Sequence, residues 1–168
     1  MAPSNKETYI EIVDDYETAK EIFEKSLKLF KDNPDSLTVF KNASEGDILD
    51  LLYDAIEKES NYFIIAFYDA ETDELVGACL LSTGHPWYNK SLYVLEEECT
   101  VSFKKGYGIS YKVANLLKKF LKDDDVDIIQ AASAQEWCSK IVENSYTKEG
   151  FKKYNTYYLT KYDNINGD

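Results

Sequence analysis

Three consecutive glutamates, Glu96, Glu97 and Glu98, interrupt the otherwise apolar run from Leu92 to Val101, and a few residues later the chain reads Lys105-Gly106-Tyr107-Gly108-Ile109-Ser110. Carboxyl groups in an apolar strand are candidates for general-base work, because burial near a reacting group lifts a carboxyl pKa toward the useful range. Side chains alternate along a strand, so in a regular strand Glu96 and Glu98 share one face and Glu97 takes the other. Glu98 or Glu96 is the expected base; the alternative is that these acids emerge into solvent and hold a cationic substrate or nothing. The glycine turn opens a helix. Unpaired amides at a helix start, together with the helix dipole, form an anion site. The turn is not a P-loop, since no Gly-Lys-Ser/Thr follows, and it lacks the third glycine of a dinucleotide fingerprint. A phosphate or pyrophosphate on the backbone from Gly106 to Ser110 is expected, with Lys104 and Lys105 as neighbouring cations.

Other reactive side chains give weaker signals. Cys99 adjoins the glutamates, but no histidine partner accompanies it, so a buried small side chain is expected rather than a covalent nucleophile. Cys79, Cys99 and Cys138 have no metal-ligand spacing, and no metal is expected. His85, the sole histidine, lies in a Gly-Pro loop and reads as an exposed residue. Trp87, Tyr88 and Trp137 could wall an acceptor pocket or serve as packing.

The elements that position these groups follow from periodicity. Thr8 to Val13 is a short β-type run; Asp14 and Asp15 offer N-caps for an amphipathic helix over Tyr16 to Phe30, with Ala19, Ile22, Phe23, Leu27 and Phe30 on one face. Ser44 and Asp47 resemble a capping box before a second helix, Ile48 to Ile56. Tyr62 to Tyr68 and Leu75 to Leu81 form an antiparallel hairpin across a polar turn. The glutamate strand, Leu92 to Val101, leads through the glycine turn to a helix over Ile109 to Lys122. Val126 to Ala132 is a further strand, Glu136 to Tyr146 a further helix closed by Gly150, and Phe151 to Tyr162 holds one or two final strands. The order is βααβββαβαβ. It implies an α/β fold with a mixed, mostly antiparallel central sheet, one parallel pair across the strand-helix-strand crossover, and helices on both faces. Residues 1–168 are expected to form a single domain.

Composition narrows the partners. With 44% hydrophobic and 30% charged residues the chain reads as globular, and no apolar run approaches membrane-spanning length. The opening residues lack an apolar signal core, so a cytoplasmic location is expected. A net charge of -12 argues against nucleic acid and suits cationic amines. All 19 basic side chains are lysines, so an anion site must use lysine and backbone rather than arginine forks. The absence of arginine with many Asn, Ile and Tyr hints at an AT-rich, viral source. A homodimer is left open.

The turn resembles the pyrophosphate loop of the GNAT superfamily of N-acetyltransferases, Arg/Gln-x-x-Gly-x-Gly/Ala between a strand and a long helix. Lys105 stands at the arginine or glutamine position, Gly108 at the invariant glycine and Ser110 at the last small residue. Leu95 to Thr100 resembles that family's Leu-Glu-Glu-x-x-Val approach, with Thr100 for valine. Tyr146-Thr147-Lys148-Glu149-Gly150-Phe151 is similar to its Tyr-x-x-x-Gly-Phe, whereas the family's usual asparagine before the last helix has no clear counterpart in AQEWCSKIVEN. The resemblance implies an acetyl-CoA-dependent N-acetyltransferase. Its acetyl-CoA would lie along the strand at Cys99, Thr100 and Val101, and its pyrophosphate on Lys105, Gly106, Tyr107, Gly108, Ile109 and Ser110. Tyr146 would be the acid that protonates the departing thiolate, and the acceptor a primary amine on a small molecule or a protein lysine or N-terminus. A catalytically silent GNAT-fold structural or interaction protein is the alternative reading.

Overall fold

Among the described residues the apolar runs pair into one five-stranded sheet, and the amphipathic stretches cover its two faces. A computed structural model describes residues 6–32, 44–57, 60–123, 125–131 and 139–152. Along the chain these form β1 (Thr8–Ile12), α1 (Tyr16–Asp32), α2 (Glu45–Asp54), β2 (Tyr62–Asp69), β3 (Leu75–Gly84), β4 (Val94–Ser102), α3 (Ile109–Lys122), β5 (Ile128–Ala131) and α4 (Ser139–Lys148). The expected order is reproduced through its ninth element; the last strands, Trp137 and Cys138 lie outside the described residues.

Spatial order in the sheet is β1-β2-β3-β4-β5, antiparallel throughout except for the parallel β4–β5 pair. The connections explain this. A tight turn joins β2 to β3: Asp69 Oδ1 accepts from the Glu71 amide at 2.8 Å and the Thr72 amide at 3.1 Å. β5 follows β4 only after α3 has crossed back over one face, as a parallel neighbour requires.

Two apolar layers result. On one face α3 contributes Ile109, Val113, Ala114 and Leu117 against Ile65, Phe67, Cys79, Leu81 and Leu95, with Tyr146 of α4 joining them. On the other, Ala19, Ile22 and Phe23 of α1 and Leu52 of α2 cover Ile64, Ala66, Ala78 and Val101. The helix starts obey local chemistry. Asp15 Oδ1 accepts from the Thr18 amide at 2.8 Å, and Ser44 Oγ accepts from the Asp47 amide at 3.3 Å.

One irregularity matters for the site. In the β3–β4 ladder Leu80 faces Cys99 but Leu81 faces Glu97, so Glu98 is the extra residue of a bulge. Before the bulge Leu95 and Glu97 point to the α3/α4 face; beyond it Thr100 does so, while Cys99 and Val101 pack toward α1 and α2.

Candidate active site

The centre of the sheet holds a buried polar chain where β4, β3 and α4 meet. Glu97 is 6% exposed and Tyr146 7% exposed. Tyr146 Oη donates to Glu97 Oε2, and Thr100 Oγ1 donates to Glu97 Oε1. Thr100 Oγ1 also lies 3.2 Å from Cys79 Sγ. Burial pushes the Glu97 pKa up, against the opposing pull of the Thr100 and Tyr146 hydroxyls. Burial also raises the Tyr146 phenol, and the neighbouring Glu97 charge raises it further. The Cys79 thiol is driven well above its usual range, first by burial and then by Glu97, which makes it an inert proton-bearing group.

Glu96 and Glu98 are exposed and lie away from this chain. Glu96 pairs with Ser82 across the ladder, and Glu98 Oε1 accepts from Ser82 Oγ at 2.5 Å. The structure therefore separates the three acids as alternation predicts, with Glu97 inward on the α3/α4 side. It brings Tyr146 to Glu97, and neither Glu96 nor Glu98 is its partner.

The strand edge beside this chain is also distinctive. The β4–β5 ladder runs from Val94 opposite Ile128 to Glu97 opposite Ala131, whereas β4 itself continues to Ser102. Among the described residues, β4 beyond Glu97 pairs with β3 only.

At the end of β4 the chain enters the glycine turn. Gly106 has φ 92° and Gly108 φ 62°, both in the left-handed region where a side chain is strained. Gly108 is the N-cap of α3 and offers no side chain to its first amides. A Cβ built on Gly108 meets nothing within 4 Å, so the space in front of the helix start is open. Tyr107 points the other way. Its ring is 2% exposed, and its hydroxyl donates to Asp69 Oδ2. That hydroxyl, ahead of the Glu71 and Thr72 amides, holds the Asp69 carboxyl down to about 2. Lys6 Nζ lies 5.1 Å from the centre of the Tyr107 ring. Tyr107 thus anchors the turn by its side chain. Ile109 is buried as well, Ser110 is half-buried and Lys105 is exposed. Lys104 is paired with Glu74, whereas Lys105 has no ion pair among the described residues.

Close approach of α3 to the sheet depends on Gly77. A Cβ there would stand 2.9 Å from Ile109 Cγ1 and 2.9 Å from the Val101 carbonyl oxygen. Tyr146 is fixed by its helix terminus: the Phe151 amide donates to the Tyr146 carbonyl at 3.1 Å, Gly150 takes φ 95°, and the Phe151 ring meets Tyr146 edge-on at 5.0 Å. The aromatic loop residues are outward, Trp87 being 91% and Tyr88 59% exposed. His85 is exposed too, with Nδ1 2.6 Å from the Leu92 carbonyl oxygen.

Solved structures share the course of this chain. An aminoglycoside acetyltransferase from an uncultured soil metagenomic sample, in complex with sisomicin, superposes with a TM-score of 0.61 over 91% of this chain and 95% of its own. This chain has the GNAT fold. A predicted acetyltransferase with acetyl-CoA from Clostridium acetobutylicum gives a TM-score of 0.61 over 92% of this chain and 96% of its own. A transcriptional regulator from Bacillus halodurans gives 0.66 over 92% and 99%. Identities to these three are 11%, 12% and 13%. At that distance the likeness establishes the GNAT fold, and a fold hosts several activities. The sequence matches no family model and no curated protein.

Sequence reasoning missed Asp69, Gly77 and Ser82. Only Tyr107 carried a usable signal for one of them, since a large aromatic between two glycines needs an anchoring partner.

Proposed function

We propose that the protein transfers an acetyl group from acetyl-CoA to a primary amine. The observation that carries this reading is the buried Tyr146–Glu97 hydrogen bond midway along β4, with the open glycine turn following the same strand. The residues fit a pyrophosphate: first-turn amides of α3 that no side chain caps, left-handed glycines that let the backbone approach, and Lys105 alongside. Cys99, Thr100 and Val101 follow Glu97 along β4, and an extended pantetheine would run beside them. The structural neighbours with sisomicin and with acetyl-CoA support the same reading.

The chemistry asks for three things. The amine must lose a proton before it attacks the thioester carbonyl, and exposed Glu98 or Glu96 would take it directly or through water. The carbonyl oxygen must be polarised, a task for backbone amides of β4. The departing thiolate must be protonated, and this is the role of Tyr146.

Binding and turnover test the reading separately. CoA should raise the thermal midpoint of the protein, and thiol release from acetyl-CoA should depend on an added amine. Tyr146→Phe should leave CoA affinity within about threefold and lower turnover by about 100-fold, the low end for a lost general acid. No thermal shift with CoA would overturn the proposal, and a Tyr146→Phe variant with unchanged turnover would remove the tyrosine from it. A shift with no transfer to any of a broad amine panel would favour the silent GNAT-fold alternative.

A further inference from the structure

We infer that Glu97 is a positioning residue for Tyr146: in its protonated form it donates to the phenol oxygen and turns the phenolic proton outward, toward the sulfur of the departing thiol. The inference rests on the acetyl-transfer reading for the identity of that thiol. It rests for its geometry on the buried hydrogen bond between Tyr146 Oη and Glu97 Oε2.

A phenol has one proton. With Glu97 ionised, the carboxylate can only accept, so that proton is committed to it across the Tyr146 Oη–Glu97 Oε2 contact and nothing remains to give to a leaving group. Giving it up would leave a phenolate against a carboxylate in a buried site, which like charges disfavour. With Glu97 protonated, both difficulties vanish. The carboxyl O–H bonds to Tyr146 Oη, and the phenolic O–H is free. When the thiolate takes the phenolic proton, the carboxyl proton moves to the phenolate. The sum is balanced: carboxylic acid, phenol and thiolate become carboxylate, phenol and thiol, and solvent restores the carboxyl proton.

The surroundings suit this. The β4 bulge places Thr100 on the same face as Glu97, so its hydroxyl holds the other carboxyl oxygen, Oε1. The titratable groups facing Glu97 are Tyr146 from α4 and Cys79 from β3. Its ladder partners are Leu81 and Ala131, and α3 and β2 bring apolar side chains to this layer, among them Ile109, Val113, Leu117, Ile65 and Phe67. Among the described residues no cation contacts Glu97 to hold the ionised form, and burial favours the neutral one.

The test begins without any acceptor. Infrared spectra of the whole protein at neutral pH should show a buried carboxylic-acid carbonyl band that is missing from Glu97→Gln. The band should shift in Tyr146→Phe, where the carboxyl loses its partner, and fade on alkaline titration. A spectrum with no such band at neutral pH, or a band that Tyr146→Phe leaves unmoved, would overturn the inference. If Glu97→Gln does not fold, the Tyr146→Phe comparison with pH titration decides alone. The second arm follows thiol release with spermidine across pH. Wild-type turnover should fall as pH rises through the Glu97 titration. Glu97→Gln, whose amide orients the phenol at every pH but has no proton to pass to the phenolate, should run below the wild-type plateau without that alkaline fall, and Glu97→Leu should lose about 100-fold with KM for acetyl-CoA unchanged. Retention of the alkaline fall in Glu97→Gln would refute the role. Should spermidine and the amine panel all fail while the infrared result holds, the transfer reading falls and the protonated state of Glu97 stands.

Discussion

Replacing Gly77 with alanine tests the link between the sheet and the glycine turn. The added methyl would sit 2.9 Å from Ile109 Cγ1, 2.9 Å from the Val101 carbonyl oxygen and 3.0 Å from Ile109 Cδ1. The carbonyl belongs to β4 backbone and cannot rotate away, so Ile109, the first residue of α3, must lift. Overpacking of this kind costs about 1–3 kcal/mol, offset by about 0.4–1 kcal/mol because alanine narrows the unfolded ensemble. A net loss of about 1–2 kcal/mol is expected. For a chain of this size that lowers the thermal midpoint by about 2–8 °C. Chemical denaturation gives the free energy directly. A double-mutant cycle then locates the strain. Ile109→Ala alone should cost about 2–5 kcal/mol, and its combination with Gly77→Ala should cost less than the sum by about 1 kcal/mol, because the two closest side-chain atoms are gone. CoA affinity should fall at least about tenfold in Gly77→Ala, since the lifted residue follows Gly108 directly. A Gly77→Ala protein within about 0.5 kcal/mol of wild type, or a strictly additive cycle, would refute the steric argument.

Gly108 makes the complementary case: alanine there meets no atom but must hold φ 62°, so a stability loss of about 1–2 kcal/mol is expected with no coupling to Ile109, while a bulky valine should abolish CoA binding measured by calorimetry. Asp69 sets an acid limit. Its folded pKa of about 2 lies below the unfolded carboxylate value, so its stabilising contribution is complete above about pH 4 and disappears as pH falls through about 2. Urea midpoints across that range should drop, less steeply in Tyr107→Phe. Glu97 has the opposite sign: its raised pKa makes ionisation costly in the folded state, and stability should rise as pH falls through its titration. Ser44→Ala removes the α2 cap and should cost about 0.5–1 kcal/mol by denaturation, the 3.3 Å bond placing it at the modest end.

Much of the architecture was legible because its signals are local. A 3.6-residue repeat at Val113, Leu117 and Phe120 dictates an amphipathic helix wherever the chain goes, and α3 runs over the predicted residues, Ile109–Lys122. Asp15, Ser44 and Gly150 terminate helices through bonds to residues a few positions away. The polar turn between β2 and β3 and the crossover before β5 followed from connection lengths. The position of the glycine turn at the start of α3 was equally local.

The site's wiring was not local. Alternation assigns Glu97 to one face, but only while the ladder is regular, and the bulge at Glu98 is a property of how β4 pairs with β3. It brings Thr100, three residues from Glu97, to the same carboxylate, where simple alternation would have sent it to the opposite face. Tyr146 is far along the chain from Glu97 and meets it only because α4 packs on the α3 face. Asp69 and Tyr107 find each other the same way, across the sheet. Sequence by itself determined the elements, their order and the groups capable of chemistry, because periodicity, capping and turn preference act over a few residues. Tertiary structure decided which of three adjacent glutamates is buried and what it touches, because burial and hydrogen-bond partners are set by packing between distant segments.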